Sequence, residues 1–223
     1  ILGLVVYGYM MTGMIGFDYN YLLGVANTLD AQLPSVAYAL MICMFIGFAV
    51  KLPVFPLHGW LPDAHAQAPT AGSVDLAGIL IKTAAYGLLR FVIPFFPAAS
   101  AQFADIAIIL GLIGVFYGAW CAFQQTDMKR LLAYTSISHM GFVLLALYAG
   151  NILTFQGLMI MMLAHGLSSA ALFIMCGQVY ERLHTRDLRQ MGGIRGQFQY
   201  LSFFLMFFVA ALVGIPGLGN FIG

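Results

Sequence analysis

The sequence predicts an all-α, polytopic transmembrane helix bundle. Of its 223 residues, 62% are hydrophobic and 8% are charged. Soluble domains carry about 25% charged residues, so this chain has too few charges to cover a water-facing surface. Its apolar runs are also long and continuous. Inside a bilayer, runs of this kind satisfy their backbone hydrogen bonds as helices.

Seven apolar runs follow one another, near residues 1–16 (partial), 33–52, 74–97, 104–124, 130–149, 153–180 and 198–214. The first run begins without Met, and the last ends inside an apolar pattern. We therefore expect residues 1–223 to form a single transmembrane domain, an internal fragment of a longer subunit with about six to seven spans. The stretch after the first run contains Asp18, Asn20, Asn27 and Asp30, and this composition predicts a polar loop.

Positive charges are distributed unequally between the loops. If each run crosses once, the loops after the second, fourth and sixth runs lie on one side. The other side carries at most Arg90. Because basic loops stay in the cytoplasm, the first set is predicted to be cytoplasmic. Its cations are Lys129, Arg130, Arg182, Arg186, Arg189 and Arg195.

Lys82 is the clearest candidate for a functional charge, because charged side chains within membrane helices are costly and usually functional. It lies about 12 Å into the third run at 1.5 Å per residue. It shares a helical face with Asp75, Gly78, Tyr86 and Arg90. The alternative is a lysine that snorkels to the interface.

Lys51 allows two interpretations. If the second helix ends there, Lys51 is an interfacial lysine. If the helix is broken at Pro53 and Pro56 and then continues, Lys51 lies at a discontinuity near mid-membrane. Broken helices mark ion sites in transporters, since their free ends stabilise charge and water.

Two histidines in apolar runs are further candidates for a proton path. His139 follows a group of hydroxyl residues, and His165 precedes another. Neutral packing histidines are the alternative, but two on neighbouring helices favour a relay. The supporting hydroxyls are Thr135, Ser136, Ser138, Ser168 and Ser169.

The second and seventh runs both end in sequence interrupted by proline, near residues 51–57 and 214–219. The second of these breaks contains Pro216. Corresponding broken helices, five helices apart, predict an antiporter-like arrangement of inverted five-helix repeats.

No cofactor or metal site is predicted in this chain. Cys43, Cys121 and Cys176 each stand alone in apolar sequence. His58 and His65, with Asp63 between them, match no standard metal-ligand spacing. A net charge of +1 without basic patches argues against nucleic-acid binding and leaves the lipid bilayer as the expected surroundings.

The segment from Lys51 to Phe91, KLPVFPLHGWLPDAHAQAPTAGSVDLAGILIKTAAYGLLRF, resembles the antiporter-like membrane subunits of respiratory complex I. The resemblance continues through residues 127–141, His165-Gly166 and Gly214-Ile215-Pro216-Gly217. The wider family includes multi-subunit cation/proton antiporters and membrane-bound hydrogenases.

The resemblance implies a proton-translocating, non-redox subunit of a bacterial NADH–quinone oxidoreductase in the inner membrane. Lys51 would pair with a glutamate on an earlier helix, Lys82 would connect two half-channels, and His139 and His165 would extend a hydrated axis. FMN and iron–sulfur clusters would reside in partner subunits, and neighbouring antiporter-like subunits would flank this one. The alternatives are a subunit of a cation/proton antiporter or hydrogenase, or a scaffold whose polar residues only join helices.

Overall fold

The computed structural model describes residues 1–193, 196 and 198–223, so Arg195 lies outside the described residues. The described part of the chain is a bundle of α-helices, with one isolated β-bridge between Asp127 and Asp187. This confirms the predicted all-α class. In chain order the helices are α1 (Leu2–Thr12), α2 (Tyr19–Gln32), α3 (Pro34–Lys51), α4 (Trp60–Gln67), α5 (Thr70–Phe95), α6 (Pro97–Phe123), α7 (Met128–Tyr148), α8 (Ile152–Leu183), α9 (Gln199–Val213) and α10 (Gly219–Ile222).

Five helices are long and apolar enough to cross a membrane, namely α3, α5, α6, α7 and α8. The apolar helices α1 and α9 are shorter. Two spans begin at least a full helical turn before the apolar runs that predicted them, at Thr70 and Pro97. Proline suits the first turn of a helix, where its missing N–H has no partner to lose, so Pro97 starts α6 before the hydrophobic stretch begins.

Residues 19–32 form a helix, so the prediction of a polar loop there was wrong. Asp18 caps this helix by accepting hydrogen bonds from the backbone N–H groups of Asn20 and Tyr21. Its buried face includes Leu22, Val25, Ala26 and Leu29, at the spacing of one helical face. The buried carboxylate of Asp30 accepts from Ala98 N at 2.7 Å and so caps the start of α6.

Helices α6 and α7 pack closely because small residues line their contact. A Cβ added at Gly118 would lie 2.7 Å from Ser138 N, and one at Gly141 would lie 2.7 Å from Gly111 O. Glycines at such positions allow helix backbones to approach each other within a membrane. This contact fixes one face of α7 and leaves its other side, with His139, facing α8 and α9.

Three polar segments meet on one face of the bundle. Arg130 Nη2 lies 3.0 Å from Asp63 Oδ1, and Arg186 Nε lies 3.5 Å from Asp127 Oδ2. Lys129 Nζ donates to Ala68 O at 2.7 Å, and Arg186 Nη1 donates to Ala66 O at 2.5 Å. We call Lys129, Arg130 and Arg186 the basic clamp. The clamp brings the end of α4, the α6–α7 loop and the segment after α8 together on one side of the bundle.

Candidate functional site

Lys82 lies near the middle of α5, about 18 Å from the start of the helix at 1.5 Å per residue. Its side chain is buried, and Nζ donates to the carbonyl oxygen of Ala77. Ala77 belongs to the π turn Leu76–Leu80, and a second π turn spans Leu88–Val92. Such turns interrupt α-helices and occur often at functional sites. No carboxylate among the described residues forms an ion pair with Lys82.

Helices α5 and α8 cross closely at glycine residues, and this crossing brings Lys82 beside His165. A Cβ built at Gly166 of α8 would lie 2.9 Å from Gly78 O and 3.7 Å from Lys82 Cε. Any larger residue at 166 would therefore push α5 away from α8. Because Gly166 follows His165 directly, the crossing places the lysine against the turn of α8 that carries the histidine.

His165 is completely buried, and its ring lies next to that of His139. The two ring centroids are 4.9 Å apart at an interplanar angle of 41°. Neither ring nitrogen of His165 has a hydrogen-bond partner among the described residues. Buried polar atoms are almost always paired in native proteins, so both nitrogens of His165 remain available to a partner that the described side chains do not supply.

His139 has a carbonyl oxygen at each of its ring nitrogens. Nδ1 lies 2.7 Å from Thr135 O, and Nε2 lies 3.0 Å from Leu212 O in the last turn of α9. A neutral imidazole has one N–H and donates to one of these oxygens, whereas an imidazolium donates to both. The surroundings of His139 are thus able to accept both hydrogen bonds of the protonated ring.

The hydroxyls near the two histidines bond to the backbone. Thr135 and Ser136 both donate to Leu132 O, and Ser138 donates to Val115 O. Ser169 donates to His165 O at 2.6 Å, and Ser168 lies 3.4 Å from the same oxygen. They therefore fix the local helix geometry and leave the imidazole rings to face each other.

Lys51 lies apart from this row, and Tyr86 lines the same groove as Lys82. Lys51 is the last residue of α3, is exposed, and makes no hydrogen bond or ion pair with a described residue. The helix resumes at Trp60, after a segment that contains Pro53 and Pro56. Tyr86 is 54% exposed and lines an apolar groove of about 1020 Å³ between α5 and α8.

The second interruption follows α9. Gly214 adopts a left-handed conformation with φ 78°, and α10 begins five residues later at Gly219, after Pro216. Leu212 O, the acceptor at His139 Nε2, lies immediately before this interruption. The C-terminal end of α9 thus contacts His139 directly.

His65 is a candidate that the sequence analysis considered only as a metal ligand. Its ring is fully buried, stacks on Phe173 at 4.4 Å, and has no hydrogen-bond partner at either nitrogen within the described chain. Burial, followed by the charges of Lys129 and Lys82, lowers the pKa of His65 to about 4. It is therefore a neutral imidazole close to both lysines. The signal that could have identified His65 from the sequence was its position between a helix break and an intramembrane lysine.

His58 and Asp63 do not share a site with His65. His58 packs between the rings of Phe55 and Tyr117, and burial lowers its pKa. Asp63 is largely exposed and faces Arg130. Within the described residues, no group of three or more His, Cys, Asp or Glu side chains has the geometry of a metal site.

Comparison with known proteins shows the family of this chain. Residues 1–223 match the family described as NADH:quinone oxidoreductase/Mrp antiporter, transmembrane. The chain belongs to this family. The resemblance found in the sequence to the antiporter-like subunits of complex I is thereby confirmed.

Two relatives of this family are named NADH-quinone oxidoreductase subunit M. The chain is 62% identical over 223 residues to the one from Escherichia coli (strain K12) and 60% identical over 224 residues to the one from Pseudomonas aeruginosa. Each alignment covers 100% of this chain and 43% of the relative. The chain therefore spans less than half the length of these relatives.

Solved structures share the fold. Respiratory complex I from Thermus thermophilus with bound NADH matches with a TM-score of 0.84 and 30% identity, over 99% of this chain and 46% of that chain. The Mrp complex from Dietzia sp. DQ12-45-1b matches with a TM-score of 0.81 over 96% of this chain and 39% of that chain. At 23% identity, this second match shows the fold alone.

Proposed function

We propose that this chain forms part of a proton-translocating membrane subunit of a bacterial NADH–quinone oxidoreductase. The observation that carries the proposal is a row of three basic groups near the middle of adjoining helices. Lys82 lies against Gly166, His165 lies against His139, and His139 reaches the end of α9. The complex I subunits named among its relatives support the choice of reaction.

The row can pass a proton without redox chemistry in this chain. A neutral imidazole accepts a proton at one nitrogen and releases another from the second. His165 has both nitrogens free of partners, and the neighbouring His139 has an acceptor oxygen for each N–H of its protonated form. A proton leaving Lys82 would thus pass to His165 and, through water between the two rings, to His139, which would release a proton to water beside the second helix break.

Lys51 would start the transfer from the first helix break. It is an exposed cation without a partner among the described residues, and we propose that a glutamate from another part of the subunit pairs with it. Release from that partner would leave Lys51 with an uncompensated charge and drive its proton towards Lys82. Electron transfer through FMN and iron–sulfur clusters in partner subunits would trigger this release, and adjacent antiporter-like subunits would flank the chain.

Protons would enter from the side of the basic clamp, which we assign to the cytoplasm. His65 lies below this clamp, where Lys129 and Lys82 both act on it electrostatically. Its two free nitrogens allow it to take a proton from the clamp side and deliver it towards Lys82. His65 thus extends the row towards the aqueous surface.

Replacement of Lys51 in the full-length subunit tests this function. Lys51→Ala is expected to lower NADH-driven proton uptake into inverted membrane vesicles by at least about tenfold, because the first proton carrier is lost. The matched control is Arg189→Ala, which removes an exposed cation of the loop after α8 and should retain uptake. Content of the assembled complex is measured in parallel by its flavin.

Normal proton uptake in a fully assembled Lys51→Ala complex would contradict the relay. Uptake that requires an opposing sodium gradient would instead support the alternative of a cation/proton antiporter.

A further inference from the structure

The second helix break is tied to the histidine pair by one amide side chain. Asn220, the second residue of α10, points back towards α9 and α8. Its Nδ2 donates to Ala211 O at 2.7 Å and lies 3.2 Å from Ser168 Oγ. The amide therefore joins both sides of the break to the turn of α8 that follows His165.

These contacts involve carbonyls that a helix end leaves without α-helical partners. Ala211 O accepts from Asn220, and Leu212 O faces Nε2 of His139. The two oxygens belong to consecutive residues, so a side chain that holds one restricts the position of the other. Left-handed Gly214 ends α9, where Gly214 N–H donates to Ala211 O and Ile215 N–H donates to Ala210 O, so Leu212 O is left to His139.

We propose that Asn220 is a positioning residue for the proton row, holding the last turn of α9 so that Leu212 O stays on Nε2 of His139. The proposal rests on the proposed function, because it assigns Asn220 a role in placing one of the proton carriers. With the carbonyl held, His139 keeps the same orientation towards His165 whether or not it carries its second proton.

The remaining atom of the amide supports this role. Asn220 Oδ1 is buried and has no hydrogen-bond donor among the described residues. Asn220 and His139 both line a cavity of about 640 Å³ beside the break. A buried amide oxygen on the wall of a cavity that His139 also lines is suited to accept a hydrogen bond from water next to the relay.

Few other groups act on His139. His165 of α8 lies beside it, and Lys82 of α5 is close enough to act electrostatically. The described residues of α9 and α10 present to it the Leu212 carbonyl, with the Asn220 amide beside it, and neither group titrates. A change in pH dependence after substitution of Asn220 would therefore report on the hydrogen bonding of the histidine.

The test compares Asn220→Ala and Asn220→Leu in the assembled complex, with NADH–quinone reductase turnover measured from pH 5.5 to about 8.5, a range that brackets histidine titration. Leucine keeps the branched shape of asparagine without its hydrogen-bonding groups, so it serves as a second variant if alanine impairs assembly. We expect turnover to fall about fivefold, the value of roughly one hydrogen bond. We also expect the pH profile to move towards acid by about 0.5 unit, since the protonated ring loses support. Asn20→Leu, on the exposed face of α2, is the matched control and should leave both unchanged.

Wild-type turnover and an unchanged profile in assembled Asn220→Leu would overturn the proposal. So would an equal loss at every pH, because that result indicates a structural role only. Lys82→Met in the same strain distinguishes a failure of the proposed function from a failure of the role of Asn220. If Lys82→Met pumps normally, the proposed function fails, whereas an inactive Lys82→Met beside a normal Asn220→Leu removes only the role of Asn220.

Discussion

The two helix breaks of this chain differ in the polar group that each of them exposes. The first follows Lys51 and leaves an amine at the end of α3. The second follows Val213 and places a backbone carbonyl against His139. The first break thus exposes a charged side chain, and the second supplies a hydrogen-bond acceptor for the ring of His139.

The two breaks are also fastened differently. The indole N–H of Trp60 donates to Val50 O at 2.8 Å across the first break, and the basic clamp holds the end of α4. At the second break, the fastening groups are His139 and Asn220, which belong to the site itself. Groups outside the proton row therefore hold the first break, whereas groups at the proton row hold the second.

Of the substitutions at the two breaks, replacement of His139 should cause the largest loss of proton uptake. His139→Phe keeps a flat ring but removes both nitrogens, so it ends the row and releases Leu212 O. We expect proton uptake to fall at least about tenfold. NADH–ferricyanide reduction, which reports on the partner subunits, should be unchanged. Retention of half or more of the uptake would show that the second break works without its histidine.

Replacement of His65 should also change the stability of the protein, by a smaller effect that is seen mainly in acid. Because burial lowers its pKa to about 4 from 6.5, the unfolded state binds this proton first as pH falls. Stability is therefore lost between about pH 6.5 and 4, by at most about 3 kcal/mol. His65→Gln removes this titration, so its thermal midpoint in detergent should drop less between pH 7 and pH 5, a range within that window. An equal drop in variant and wild type would contradict the assignment of a buried, neutral imidazole.

The smallest effect is expected at the ion pair between Arg130 of the basic clamp and Asp63 of α4. Arg130 and Asp63 are both substantially exposed, with side-chain exposures of 41% and 70%. Exposed pairs of this kind contribute at most about 1 kcal/mol. Arg130→Gln should therefore leave proton uptake within about twofold of wild type, measured in the same vesicles. A loss as large as that of His139→Phe would mean that the clamp controls the pathway.

Much of the fold was predictable from hydropathy, because an apolar run of membrane length has few alternatives to a helix. The helix α2 was missed because its polar residues outweigh its apolar face in a simple count. The Asp18 cap and the spacing of Leu22, Val25 and Leu29 were the available signals.

The candidate site was predictable in its members but less so in its contacts. Lys82, His139 and His165 stand out as ionisable groups in apolar sequence, and the structure brings them into one row. The hydroxyls beside the histidines were predicted to support the relay, yet those of Thr135, Ser136 and Ser138 donate their hydrogen bonds to backbone carbonyls. The link from His139 to Leu212 O joins residues 73 positions apart, and only the folded chain shows it.

The most direct test of the central claim is NADH-driven proton uptake by an assembled complex that carries Lys82→Met. Methionine keeps an unbranched side chain in the same buried position but cannot bind a proton. The relay predicts that uptake falls at least about tenfold while the flavin and subunit content of the complex stay normal. Uptake within about twofold of wild type would contradict it and would leave Lys82 as a residue that only joins helices.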